Sequence, residues 1–196
     1  MGIDMDNVFE HALQQFGGIS VTGFLVMTLV MILIASGILI GISFGTGKNI
    51  GTINMFAILA LIIYVNIILQ MTILGRSSGS RIGIDLSIHR SQWSGGTDFS
   101  RLIRLYSVLN VLLSVPFGFL VSLFTVISRN CAWLQCVVVS LLSLVSSLLI
   151  ECVQLVTGRG YFELDDLLRN TLGGFIGCLL AVILRKLYHT LCSKEN

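Results

Sequence analysis

Four stretches of this chain carry no Asp, Glu, Lys or Arg: Ala12–Gly47, Asn49–Gly75, Leu105–Ser128 and Asn130–Ile150. A helix crosses a bilayer with about 20 mainly apolar residues, and every one of these intervals reaches that length. In water, helices this apolar would need polar surface to cover them. The chain is 55% hydrophobic and only 11% charged, against about 25% charged in a typical soluble domain. We therefore read the fold class as all-α, a polytopic membrane helical bundle with five transmembrane helices. The expected spans are Ser20–Ile42, Thr52–Leu74, Tyr106–Ile127 and Ala132–Val156, and a fifth from Leu167 or Asn170 to Tyr188.

The fifth span is the marginal one. Asn170–Leu184 alone rises only about 22 Å against a hydrocarbon thickness of about 30 Å. It reaches across if it starts at the interface with Asp165 and Asp166 and ends with Arg185 and Lys186 snorkelling outward; otherwise it is a half-buried hairpin. Met1–Glu10 carries Asp4, Asp6 and Glu10 and no Lys or Arg, unlike a removable signal peptide. The first apolar run is thus expected to be retained.

Alternation of spans puts two polar segments, Gly75–Arg104 and Thr157–Asp166, on one side of the membrane. The first is long for a passive connection, is rich in glycine, and suits turns or a folded lid. Orientation is contested. Arg76, Arg81, Arg90, Arg101, Arg104, Arg159 and Arg169 fall on the loop side, and Lys48, Arg129, Arg185, Lys186 and Lys194 opposite. That count favours cytoplasmic loops. The acidic N-terminus and the basic tail favour the reverse, and we adopt extracytoplasmic loops.

Charges inside membrane segments are costly unless they face protein or water, so the polar residues near these boundaries mark the candidate site. Glu151 and Gln154 lie three apart and share a helical face. Asp165 and Asp166 cannot share one: Asp166 aligns with Asn170, whereas Asp165 suits a cap or a pair with Arg169. Glu151, Asp165 and Asp166 together have the character of a divalent-cation or water-activating site, but the histidines His11, His89 and His189 show no ligand spacing, and we expect no metal and no cofactor. Arg76 and Arg159 emerge after the second and fourth spans and suit phosphate or carboxylate recognition as well as simple anchoring. Asn110 shares a face with Ser114 and Phe117 and serves either interhelical bonding or the site. The candidate polar pocket is thus Arg76, Asn110, Glu151, Gln154, Arg159, Asp165, Asp166 and Asn170.

Other features carry no chemistry of their own. The five cysteines lack a disulfide or metal pattern and read as apolar filler, Cys131 and Cys136 included. Two glycine stripes, Gly37–Gly41–Gly45 and Gly173–Gly177, suit close internal helix packing, and Pro116 predicts a kink in the third span. There is no nucleophile motif, phosphate loop or nucleic-acid module.

NVLLSVPFGFL at Asn110–Leu120, ECVQ at Glu151–Gln154, GRG at Gly158–Gly160 and DDLLRNTLGGFIG at Asp165–Gly177 resemble the VanZ-like family of bacterial membrane proteins. The run from Tyr64 to Arg76 is similar to that family's first common membrane segment. The resemblance covers about Met55–Tyr188. It divides the chain into residues 1–51, an acidic segment with an additional transmembrane helix, and 52–196, a VanZ-like domain with its polar loop at 75–104. It implies a multi-pass protein of the bacterial cell membrane with an extracytoplasmic polar face, associated with lowered susceptibility to teicoplanin, a lipoglycopeptide. The family's Asn-Leu-x-Pro-Phe-like segment corresponds here to Ile84–Trp93, which has no proline. The expected partner is a membrane lipid or lipid-linked envelope molecule, or the lipoglycopeptide itself, with no nucleic acid. Whether the protein only recognises such a molecule, or acts on it as an intramembrane hydrolase or transferase, stays open at this point.

Overall fold

The computed structural model describes residues 21–46, 51–76, 79, 81–88 and 98–192. The N-terminal segment Met1–Gly18, with His11, lies outside them, as do His89 and Trp93. Among the described residues six helices and two short strands follow in the order α1 (Val21–Thr46), α2 (Thr52–Leu69), β1 (Arg81–Asp85), α3 (Asp98–Ser122), α4 (Thr125–Ser128), α5 (Ala132–Thr157), β2 (Arg159–Glu163) and α6 (Leu164–Cys192). The protein is an all-α, polytopic membrane bundle. Thr22–Gly41, Thr52–Leu74, Ala132–Thr157 and Leu164–Cys192 are long and apolar enough to span a bilayer. The marginal span is therefore not the last: α6 is 29 residues long because its helix already begins at Leu164, ahead of both aspartates. α3 is 25 residues long, and among the described residues its apolar part runs Ser107–Ser122. Its helix begins at Asp98, inside the segment expected to be loop, and continues through Pro116.

The packing is inside out relative to a soluble bundle. In α5 the buried stripe is Gln135, Cys136, Val139, Ser143, Ser147, Glu151 and Gln154, and leucines such as Leu141 and Leu149 point outward. Lipid solvates leucine at no cost, but it cannot hydrogen-bond a buried amide or carboxyl. A small apolar core of Val121, Cys136, Val139, Cys178 and Val182 remains. Cys136 thus packs inside and Cys131 is exposed.

Close approach of α3 to α6 organises the bundle. A Cβ on Gly177 would fall on the Val115 carbonyl and the Phe119 amide; one on Gly173 would strike the Val111 carbonyl and Ser114; and one on Gly118 would meet the Gly174 carbonyl. The C-terminal glycine stripe is internal packing, as expected. At the N-terminal one a Cβ on Gly37 or Gly41 would meet nothing within 4 Å among the described residues, so these two glycines make no such contact there. α1 touches the bundle mainly through α2, where the buried Asn66 amide donates to the Phe24 carbonyl at 2.9 Å and to the Thr28 hydroxyl.

The two ends of the bundle are tied differently. At one end β1 pairs with β2 in parallel, Arg81 opposite Arg159 through Asp85 opposite Glu163. This places the two polar segments on one side, although neither was expected to contain a strand. Gly83 sits where a Cβ would strike the Tyr161 ring, and Gly158 ends α5 at a left-handed φ of 65°, a position glycine adopts without strain. At the other end Arg185 does not snorkel outward. It donates to the carbonyls of Ser122 at 3.0 Å and Ser128 at 3.4 Å and to Gln135 Oε1 at 3.1 Å. The end of α3 and the α4 turn leave carbonyls without helical partners, and a guanidinium satisfies several together.

Candidate functional site

A cavity of about 290 Å³ lies between α2, α3, α5 and α6. Its composition changes along its length. Toward the strand-pair end it is lined by Arg76, Asn110, Glu151, Gln154, Asp166 and Asn170; deeper and to the side lie Tyr64, Ile68, Leu113, Phe117, Leu149 and Ile150. Leu149 lines the cavity yet is 62% exposed on the bundle surface, and α2 meets α5 chiefly at its last turn. The cavity is therefore open sideways, toward the region that lipid occupies.

Each polar wall follows from local geometry. On α5, Ser143, Ser147, Glu151 and Gln154 are spaced by four, four and three residues, which keeps them on one face. On α3, Asn110, Ser114 and Phe117 do the same. On α6, Asp166 and Asn170 are four apart. Three hydrogen bonds lock these faces together: Asn110 Nδ2 donates to Asp166 Oδ1 at 2.7 Å, Ser114 Oγ to Asn170 Oδ1 at 2.8 Å, and Asn170 Nδ2 to Ser147 Oγ at 2.8 Å. Asn170 thus bridges α3 and α5 from the middle helix.

The widened closing turn of α2 shapes the mouth. Over Gln70–Leu74 the helix switches to bonds reaching five residues back, as from Gly75 N to Gln70 O at 2.7 Å. Such turns free carbonyls from the regular ladder. Gln154 Nε2 donates to Thr72 O at 3.1 Å and Arg159 Nη1 to Ile73 O at 3.1 Å. At Gly160 a Cβ would meet Gln154 Oε1 at 3.1 Å and Arg76 Nη1 at 3.2 Å, so the absence of a side chain lets both groups pack close against the strand. The strand pair also reaches inward, because the Glu163 amide donates to Glu151 Oε2 at 3.0 Å. The Arg76 charge acts on both Glu151 and Asp166, and those two carboxyls feel each other.

Of the eight candidates, Arg159 and Asp165 do not line the cavity. Along an extended strand successive side chains point to opposite faces. Gly160 faces Gln154 and Arg76, so Arg159 turns away to the Ile73 carbonyl, and its buried Nε has no partner among the described residues. Asp165 and Asp166 are adjacent on a helix, and only one can face inward. Asp165 instead forms an ion pair with Arg169 at 2.7 Å, while Arg169 reaches Asp166 at 3.4 Å. Among the described residues no three His, Cys, Asp or Glu side chains gather as a metal cradle.

Sequence reasoning missed Tyr64, Ser143 and Ser147 as lining residues. The serines were detectable, since they continue the Glu151–Gln154 face two turns back. Tyr64 had no such signal; its hydroxyl donates to the Leu113 carbonyl across α2 and α3.

A family model described as VanZ/LLP1 matches residues 24–185. The chain belongs to the VanZ/LLP1 family. The matched region begins inside α1 and so takes in the first span, which the sequence motifs left outside the resemblance. No curated protein and no solved structure matches the chain. As a VanZ/LLP1 member it has every lining residue of the cavity, from Tyr64 to Asn170, within the matched region.

Proposed function

We propose that this VanZ/LLP1 protein recognises, without chemical change, a lipid or lipid-linked envelope molecule at the outer boundary of the bacterial cell membrane. The observation that carries this reading is the single continuous cavity, with charged and amide groups at the boundary end and an apolar wall open sideways to lipid. An amphiphile fits that gradient, entering between α2 and α5 and meeting the polar groups with its head. Holding such a molecule would lower susceptibility to teicoplanin-type lipoglycopeptides by making their target less accessible. The fixed hydrogen-bond frame around Asn170 suits binding, because the lining groups are preorganised.

A spin-labelled phospholipid added to the purified protein in neutral detergent tests this. Ser146→Phe, which fills the cavity from α5 without removing a frame bond, is expected to abolish immobilisation of the label. Equal immobilisation by wild type and this variant would place lipid contact elsewhere and sink the proposal.

A second reading, an envelope-lipid hydrolase or transferase, is favoured by Glu151 and Asp166 lining the same cavity. Asp166 would then serve as base and Glu151 as acid. Product formed from candidate lipids by wild type and not by Asp166→Asn would select it over simple binding.

A further inference from the structure

Among the described residues the charged lining of the cavity is one cation, Arg76, and two carboxyls, Glu151 and Asp166. Arg159 and Arg169 do not join Arg76 there, since Arg159 is held at the Ile73 carbonyl and Arg169 pairs with Asp165. The hydrogen-bond inventory points the same way. A carboxylate offers about four acceptor sites. Glu151 is only 3% exposed; its Oε2 accepts from the Glu163 amide, and Oε1 has no hydrogen-bond partner among the described residues. Asp166 uses Oδ1 for Asn110 and Arg169, and its Oδ2 likewise has none among the described residues. Two acceptor oxygens thus border a cavity whose other walls are largely apolar, where an unmet polar group is costly.

What completes such a pair is a compact donor carrying positive charge. A primary ammonium supplies three N–H donors and one charge. Beside it, the Arg76 guanidinium is donor only and matches phosphate. The cavity volume, about 290 Å³, is at the small end for ligand sites. It accommodates a small head group and the start of a chain, with the rest passing Leu149 into lipid.

We propose that the cavity selects an amphiphile whose head group joins a primary ammonium to a phosphate, the ammonium on Glu151 and Asp166 and the phosphate on Arg76. This rests on the reading of the cavity as a lipid site and adds the head-group chemistry. A trimethylammonium head keeps the charge but has no N–H, and a phosphoglycerol head keeps the phosphate but has no cation. A site built to hydrogen-bond a group discriminates strongly against analogues that lack it.

The test uses the purified full chain in neutral detergent and native mass spectrometry with short-chain phosphatidylethanolamine, phosphatidylcholine and phosphatidylglycerol, and with water-soluble phosphoethanolamine. Phosphatidylethanolamine is expected to bind about 10-fold or more tighter than the other two lipids, as lost charged hydrogen bonds imply. Glu151→Gln, which keeps an acceptor for the Glu163 amide, and Asp166→Asn should each erase that preference, phosphatidylethanolamine losing more affinity than phosphatidylglycerol. Arg76→Gln should weaken all three lipids. Phosphatidylcholine or phosphatidylglycerol binding as well as phosphatidylethanolamine to wild type overturns the head-group assignment and leaves lipid recognition standing. Soluble phosphoethanolamine binding as tightly as the lipid overturns the amphiphile. No lipid bound by wild type overturns both readings. The wild-type comparison needs no variant, so a variant that fails to fold does not shield the proposal.

Discussion

Substituting Gly177 by Ala tests the close α3–α6 contact that holds the cavity's polar walls together. The new methyl would fall on the Val115 carbonyl and the Phe119 amide. Both are backbone, so no rotamer change relieves the clash and the helices must separate. Overpacking of this kind costs about 1–3 kcal/mol. Separation also stretches the Asn110–Asp166 and Ser114–Asn170 bonds, and interhelical hydrogen bonds in membranes average about 0.6 kcal/mol each. Against this, Gly→Ala in a helix gains up to about 1 kcal/mol of propensity. The net expectation is a loss of about 1–3 kcal/mol. Gly37→Ala is the internal control: it has the same propensity gain and no neighbour within 4 Å among the described residues, so it should be neutral or stabilising by up to about 1 kcal/mol. Thermal unfolding of both variants in detergent, followed by tryptophan fluorescence, reads the difference. If Gly177→Ala is as stable as Gly37→Ala, the glycine contact does not hold the helices and the argument fails.

Arg185→Met should destabilise the bundle by about 2–4 kcal/mol, because it strands the Ser122 carbonyl and the Gln135 amide oxygen and leaves the Ser128 carbonyl only its bond from Gln135, whereas the exposed Lys186→Met should be nearly silent in the same melt. Ile84→Cys with Phe162→Cys should crosslink on mild oxidation in a background lacking the native cysteines, since the two positions are parallel partners and adjacent strands lie about 4.8 Å apart, within disulfide reach; failure to crosslink would remove the strand pair. At matched membrane abundance, wild type should protect bacteria from teicoplanin more than from vancomycin, and Glu151→Gln and Asp166→Asn should each remove that difference. Equal protection by both variants would separate resistance from the cavity.

Much of the candidate site is legible in the sequence because polar groups at or inside an apolar run have few tolerable places. Glu151, Gln154, Asp166 and Asn170 stand out on that ground, Arg76 by its place at the end of a span and Asn110 by its helical face, and all six line the cavity. Arg159 and Asp165 were singled out by the same argument and lie beside it. Burial cost says that a charge needs a partner and does not say which. Arg159 found a carbonyl freed by the widened turn of α2, and Asp165 found Arg169 one turn along its own helix. The serines at 143 and 147 were passed over because a lone hydroxyl in a membrane helix can bond its own backbone, as Ser143 does to the Val139 carbonyl.

The sequence by itself determined that this chain is a multi-pass helical membrane protein with its polar groups gathered toward one boundary. That follows from the transfer cost of each segment into lipid, which depends on the segment alone. Tertiary structure decided the rest: that α3 begins as early as Asp98, that β1 and β2 pair, that Arg185 closes the opposite end, and that one aspartate of two faces the cavity. Those outcomes depend on the relative rotation and height of helices far apart in sequence. Lipid is indifferent to both as long as apolar surface faces outward, so backbone contact at Gly118, Gly173 and Gly177 and hydrogen bonding at Asn170 set them instead.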